Sequence, residues 1–179
     1  MAAVERRKIL RLGFAGICAL MGSPALASTS TMGSRLLSFE NLHTGEHASV
    51  TYWKDGAYIP DALKVLDHLL RDHRTNEVME IDRQLFDQLH QLQALMESTK
   101  PFQIISGFRS PRTNAMLARR SGSVSKRSYH QFGMAVDVRL PGTRLRDLRM
   151  AALSMNVGGV GYYPRSNFIH LDTGRVRFW

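Results

Sequence analysis

Cysteine is nearly absent. The single one in 179 residues is Cys18, so no disulfide within the chain can staple its fold. No repeat, low-complexity tract or second linker breaks the sequence, which argues for one domain. A stretch long enough to span a bilayer, about 20 apolar residues, is missing too: the mostly apolar segment Leu12 to Met21 falls well short. Acid is in the minority, with 15 Asp and Glu against 24 Lys and Arg, a net charge of +9. That balance reads either as a solvated basic surface or as attraction to a polyanion, and charge alone does not choose between them.

What is present begins with a leader pattern. Glu5-Arg6-Arg7-Lys8-Ile9-Leu10-Arg11 is a basic n-region, Leu12 to Met21 an apolar core, and Pro24-Ala25-Leu26-Ala27-Ser28 a small-residue cleavage site. The Arg6-Arg7 pair with Ile9-Leu10 behind it looks like a twin-arginine signal, the export route for folded proteins. The expected organisation is a signal peptide over 1–27, a short tether over 28–34 and one domain over 35–179. Cys18 would leave with the leader, and Ile17 before it is not the small residue of a lipid-attachment site. Without the leader's four basic and one acidic residues, 20 basic and 14 acidic remain, a net charge of +6. The expected setting is the periplasm. The expected partner is cell wall or an anionic leaflet rather than nucleic acid, with no stable membrane insertion once the signal is cut.

Leu36–Phe39 and Ala48–Trp53 read as short strands flanking Thr44-Gly45, an opening hairpin. Pro60 suits a first helical turn, and Leu63, Leu66, Leu69 and Leu70 follow on one side. Asp82 is a plausible N-cap for a second helix carrying Leu85, Phe86, Leu89, Leu92 and Met96. His68, His73 and His90 on or beside these helices read as ordinary surface or packing residues. After Pro101 the pattern turns extended: Phe102–Ser106 is a buried strand, and Gly107-Phe108-Arg109-Ser110-Pro111 a turn. A short helix over Thr113–Arg120 with Gly122 as its stop, a strand over Met134–Val138, a helix over Thr143–Met155 and a hairpin ending in Phe168–Asp172 complete the reading. The fold class expected is α+β, an antiparallel sheet flanked by helices.

Asp137 is the anomaly, a carboxylate inside an apolar strand, where it needs a metal or another cation beside it. In Phe168–Asp172 side chains alternate, so His170 and Asp172 share one face and Ile169 and Leu171 the other. If the strand of Asp137 pairs with this one, Asp137 and His170 lie side by side at about 5 Å between backbones. His130, seven residues before Asp137, reaches the same face if Gln131-Phe132-Gly133 turns the chain. Two imidazoles and a carboxylate form the donor set of a catalytic zinc, with a fourth position left for water.

The string Ser128-Tyr129-His130-Gln131-Phe132-Gly133-Met134-Ala135-Val136-Asp137, with His170 and Asp172 after it and Ser106-Gly107-Phe108-Arg109-Ser110 before it, resembles the zinc peptidases that cut D-amino-acid peptides of bacterial cell walls. That group includes D-Ala-D-Ala carboxypeptidases and dipeptidases and the hedgehog signalling domain. Asn41–Glu46 and Gly158–Pro164 resemble its periplasmic murein endopeptidase branch. The resemblance implies one zinc per chain on the sheet face, held by His130, Asp137 and His170, with Arg109 polarising a substrate carbonyl. It implies a peptidoglycan hydrolase acting on peptide crosslinks. A D,D- or L,D-carboxypeptidase, a catalytically inactive wall-binding module and a domain with merely structural His and Asp residues are the alternatives. One departure matters: the dipeptidase branch places a glutamate base three residues before the last histidine ligand, where this chain has Asn167. Asp172 is the candidate replacement, either as general base or as the group that orients His170.

Overall fold

The computed structural model describes residues 33–121 and 124–179. The expected leader, its Cys18, the tether up to residue 32 and the expected helix stop Gly122 lie outside the described residues.

The first strand, β1 (Ser34–Asn41), begins within the expected tether and forms the opening hairpin with β2 (His47–Lys54). A two-residue strand, β3 (Ala57–Tyr58), adds to its edge. Two helices follow, α1 (Pro60–Leu69) and α2 (Arg83–Leu95). Pro60 stands in the first turn of α1, where its missing N–H costs nothing. Asp82 caps α2 by accepting the backbone N–H of Gln84. Next come β4 (Phe102–Ser106), α3 (Pro111–Arg120), a 3₁₀ turn over Tyr129–Phe132 and β5 (Ala135–Arg139). The chain ends with α4 (Leu145–Ser154), β6 (Gly159–Tyr163), a 3₁₀ turn over Pro164–Ser166, β7 (Phe168–Asp172) and β8 (Arg177–Phe178).

The eight strands of the described residues form one sheet in the order β3-β2-β1-β4-β5-β7-β6-β8. The expected antiparallel sheet is therefore mixed. Five pairings are antiparallel, but β1 with β4 and β6 with β8 run parallel. The reason is connectivity: α1 and α2 intervene between the first hairpin and β4, and parallel neighbours require such a crossover. After β7 the chain reverses, which sets β8 alongside β6.

Helices α1, α2 and α4 pack on the sheet through β1, β2, β6 and β7. Their leucines bury against Leu37, Phe39, Phe102 and Ile104, and the core continues through Val136, Val138, Ile169 and Leu171. Period-two alternation then determines what the other face carries: Asp137 on β5 and Asp172 and His170 on β7 stand opposite the core side chains of their own strands. The helices hold the sheet by one face and leave the other for chemistry.

The turn after β4 is fixed to the end of α1. Phe108 N–H donates to the Leu70 carbonyl at 2.7 Å, and a Cβ on Gly107 would stand 2.3 Å from that same oxygen. Asp72, fully buried, accepts from the backbone N–H of Arg74 and of Ser110, both at 2.9 Å, and from the Thr113 side chain. One carboxylate thus ties the exit of α1 to the start of α3, with Arg109 between. Burial alone would raise its pKa, but these donors outweigh that and lower it from 3.8 to about 2. A depressed folded-state pKa contributes stability above the unfolded value of 3.8 that is lost as pH falls through about 2. Asp72→Ala should cost about 2 kcal/mol in urea unfolding at neutral pH. The gap between variant and wild type should shrink only below about pH 4. A gap that instead closes between pH 5 and 7 would contradict this account of Asp72.

Candidate metal centre and active-site cavity

His130, Asp137 and His170, far apart in sequence, meet on the open face of the sheet. The register does half of this: Asp137 on β5 pairs directly with His170 on β7. His130 arrives from the 3₁₀ turn, which ends at Gly133 in the left-handed region (φ 65°) before the chain enters β5. Glycine is required there, since a Cβ would lie 2.5 Å from the Glu80 carbonyl oxygen. His130 Nε2, Asp137 Oδ1 and His170 Nδ1 form a triangle with sides of 3.2, 3.1 and 2.8 Å. A tetrahedral zinc with bonds of about 2.0–2.1 Å sets its ligand atoms about 3.3–3.4 Å apart, so the triangle takes one ion if its sides widen by at most about half an ångström.

The outward nitrogens explain why a cation belongs there. His130 Nδ1 lies 2.7 Å from the Gly107 carbonyl oxygen, which can only accept, so this nitrogen carries the proton. His170 Nε2 lies 3.1 Å from Asp172 Oδ2, again an acceptor. With both protons drawn outward, the inward nitrogens present lone pairs to a carboxylate. Three electron-pair donors then converge with no hydrogen among them. Burial pushes the pKa of His130 down and favours its neutral form. Burial would do the same to His170, but Asp137 and Asp172 outweigh it and raise its pKa. A metal ion at this point would face the same Asp137 carboxylate.

Asp172 is fully buried. Its Oδ1 accepts from Gly159 N–H (3.1 Å), Gly174 N–H (2.8 Å) and Arg177 Nη1 (3.1 Å); its Oδ2 accepts from His170 Nε2 (3.1 Å) and Arg177 Nη2 (2.6 Å). Five donors saturate the roughly four lone-pair sites of a carboxylate. Against burial, which raises it, His170 and Arg177 bring its pKa down to about 2. The Arg177 guanidinium lies 5.1 Å from the ring centroids of both Tyr129 and Trp179. Tyr129 precedes His130, so Arg177 braces both histidine-bearing segments. Glycines make room for it: a Cβ on Gly159 would meet Arg177 Nη1 at 2.7 Å, one on Gly174 the Tyr129 ring at 2.6 Å, and one on Gly161 the Trp179 ring at 2.8 Å.

Arg109 stands against the centre, with Nη2 3.6 Å from Asp137 Oδ2 and its backbone N–H on the His130 carbonyl at 3.0 Å. Its Nε is buried and, among the described residues, has no hydrogen-bond partner. The donor set opens into a cavity of about 490 Å³, flanked by Arg109, Arg127, Tyr129, Tyr163, Phe168 and Trp179. Asp137 is the only carboxylate lining it among the described residues. Asn167 is not part of that lining; it ends the Pro164–Ser166 turn at φ 54°, a left-handed position that asparagine tolerates. His68, His73 and His90 stand elsewhere, with His73 stacked on His43 at 3.9 Å.

Arg177, Trp179, Tyr129 and the Gly107 carbonyl were not identified from the sequence. The spacing of Arg177 from Asp172 carries no motif, and only the close run of small residues at Gly158-Gly159, Gly161 and Gly174 marks a face where something large must fit.

A helix-backed sheet bearing a buried His–Asp–His set beside an arginine defines a metallopeptidase. The chain belongs to the family described as Peptidoglycan L,D-endopeptidase MepK, which it matches over residues 29–179. It is 49% identical over 176 residues to the "Peptidoglycan L,D-endopeptidase MepK" of Escherichia coli, covering 98% of this chain and 97% of that protein. It is 43% identical over 177 residues to the "Probable peptidoglycan L,D-endopeptidase MepK" of Haemophilus influenzae, covering 98% and 95%. No solved structure gives a significant match.

The two roles open to Asp172 separate experimentally. If it holds His170 in place, Asp172→Asn should weaken zinc affinity about 10- to 100-fold in a chelator competition. Turnover should then recover at high zinc. Unchanged affinity with lost turnover would assign it the base instead.

Proposed function

We propose that this chain is a zinc-dependent endopeptidase that hydrolyses peptide crosslinks of peptidoglycan. The observation that carries this is the inward-facing triangle of His130, Asp137 and His170 with Arg109 against it. The printed function of relatives that cover nearly the whole chain supports it. The L,D activity in their names favours crosslinks joining two diaminopimelates over those joining D-alanine to diaminopimelate.

His130 Nε2, Asp137 Oδ1 and His170 Nδ1 are the proposed ligands. Zinc bound there would lower the pKa of its water toward about 7 and polarise the scissile carbonyl. Arg109 remains cationic despite burial and donates planar, charge-assisted hydrogen bonds to the carbonyl oxygen as it gains negative charge. The Gly107 carbonyl and Asp172 keep the imidazole protons on the outward nitrogens, so the ligands need no reorganisation. Asp172, saturated by five donors, is assigned as the group orienting His170. The cavity walls provided by Tyr163, Phe168 and Trp179 limit water around the reacting bond.

The Arg6-Arg7 leader supports export to the periplasm by the twin-arginine route, where the wall substrate is. Export in folded form suits a protein whose ligands come from distant strands.

Purified protein should release monomeric muropeptides from crosslinked dimers, stop with chelator and recover with zinc. Arg109→Ala should keep zinc and lose about 10²- to 10³-fold in kcat. Hydrolysis that persists in chelator, or an Arg109→Ala variant of near-normal kcat, would contradict the mechanism.

A further inference from the structure

Two of the three arginines lining the cavity face carboxylates inside the protein. Arg109 lies against Asp137 and Arg177 is bonded to Asp172. Arg127 differs. It lines the same cavity as His130, Asp137 and His170, it is exposed, and among the described residues its guanidinium forms no ion pair.

The backbone beneath it is nevertheless held. Asn114 on α3 is only 2% exposed and donates through Nδ2 to the carbonyls of Ser125 (3.0 Å) and Lys126 (3.4 Å). Gln131 Nε2 donates to the Lys126 carbonyl at 3.0 Å, and Ser125 Oγ accepts the Arg127 backbone N–H at 3.2 Å. Two side-chain amides and a hydroxyl thus fix the platform from which Arg127 extends. A guanidinium on a fixed platform, with no counter-ion among the described residues, suits an incoming planar anion, which it can bind in bidentate fashion.

The cavity's charge points the same way. Among the described residues its three arginines meet two carboxylates, Asp137 in the lining and Asp172 behind Arg177, so Arg127 is the unmatched charge, and a bound dication would add to it. An anionic substrate is drawn in and a neutral one is not. Peptide stems built on diaminopimelate supply such an anion, because each crosslinked residue carries a carboxylate outside the bond that is cut.

Resting on the proposed function, we infer that Arg127 binds a free carboxylate of the substrate peptide beside the scissile bond. The enzyme therefore selects crosslinks whose carboxylate is unmodified over those in which it is amidated. Arg127 is a specificity residue for the same reaction and takes no part in bond breaking.

The test uses two purified crosslinked muropeptide dimers, one with free diaminopimelate carboxylates and one with them amidated. Arg127→Gln should raise KM for the free dimer about tenfold, the loss falling on KM rather than kcat. Wild type and variant should have the same KM for the amidated dimer, and Arg127→Lys should restore part of the preference. Equal losses on both dimers, or no loss on the free one, would overturn the inference. Calorimetric affinities for both dimers, taken in chelator, report the contact without turnover. A preference for free carboxylate that depends on Arg127 there, with no cleavage in zinc, would sink the proposed function and Arg127's role in the reaction while leaving its contact with the carboxylate standing. Equal affinities for the two dimers would overturn it whatever the turnover.

Discussion

Three electron-pair donors aimed at one point, with their protons fixed on the far side, are the constraint around which this molecule is organised. His130 Nε2, Asp137 Oδ1 and His170 Nδ1 lie 2.8 to 3.2 Å apart. The Gly107 carbonyl and Asp172 occupy the opposite nitrogens. Left without a cation, the arrangement sets lone pair against lone pair in a buried place, which is unfavourable. With one, each donor is already in position. The rest of the fold can be understood as what holds these atoms against their mutual repulsion.

Two devices do so. The sheet provides register: β5 and β7 pair so that Asp137 and His170 are neighbours, while Val136, Val138, Ile169 and Leu171 anchor the same strands in the core. The chain's last strand then adds to the sheet's edge beside β6. Arg177 on β8 bonds both oxygens of Asp172 and lies against Tyr129, so the segments bearing His170 and His130 are braced by one guanidinium. Glycines at 159, 161 and 174 let the arginine and the aromatic rings approach. Lone surface ion pairs contribute little to stability. This one is different because Asp172 is fully buried, and removing Arg177 would take the ion-pair partner from a buried carboxylate.

Much of this was legible in the sequence, and the reason is periodicity. His170 and Asp172 at spacing two, and Asp137 within an apolar run, announce one polar face on two strands whatever the global fold. The helical leucines at three- and four-residue spacing, Pro60 in a first turn and Asp82 as a cap are equally local signals, and the structure bears them out. What escaped is non-local. The parallel pairing of β1 with β4 depends on where a crossover lands, and a two-residue strand such as β8 has no pattern of its own. Arg177 could not be assigned because its importance comes from a tertiary contact. Asn167 has the opposite lesson: its identity suggested a missing base, and the structure gives it a left-handed turn to close.

The most direct test of the central claim is zinc K-edge X-ray absorption on the purified protein, together with metal analysis. The account predicts one zinc per chain at saturation, with nitrogen and oxygen neighbours at about 2.0–2.1 Å and two of them imidazoles. Replacing His170 with alanine should remove one imidazole from that spectrum. Protein that stays free of zinc at saturating metal, or zinc whose spectrum is unchanged in the His170→Ala variant, would contradict it.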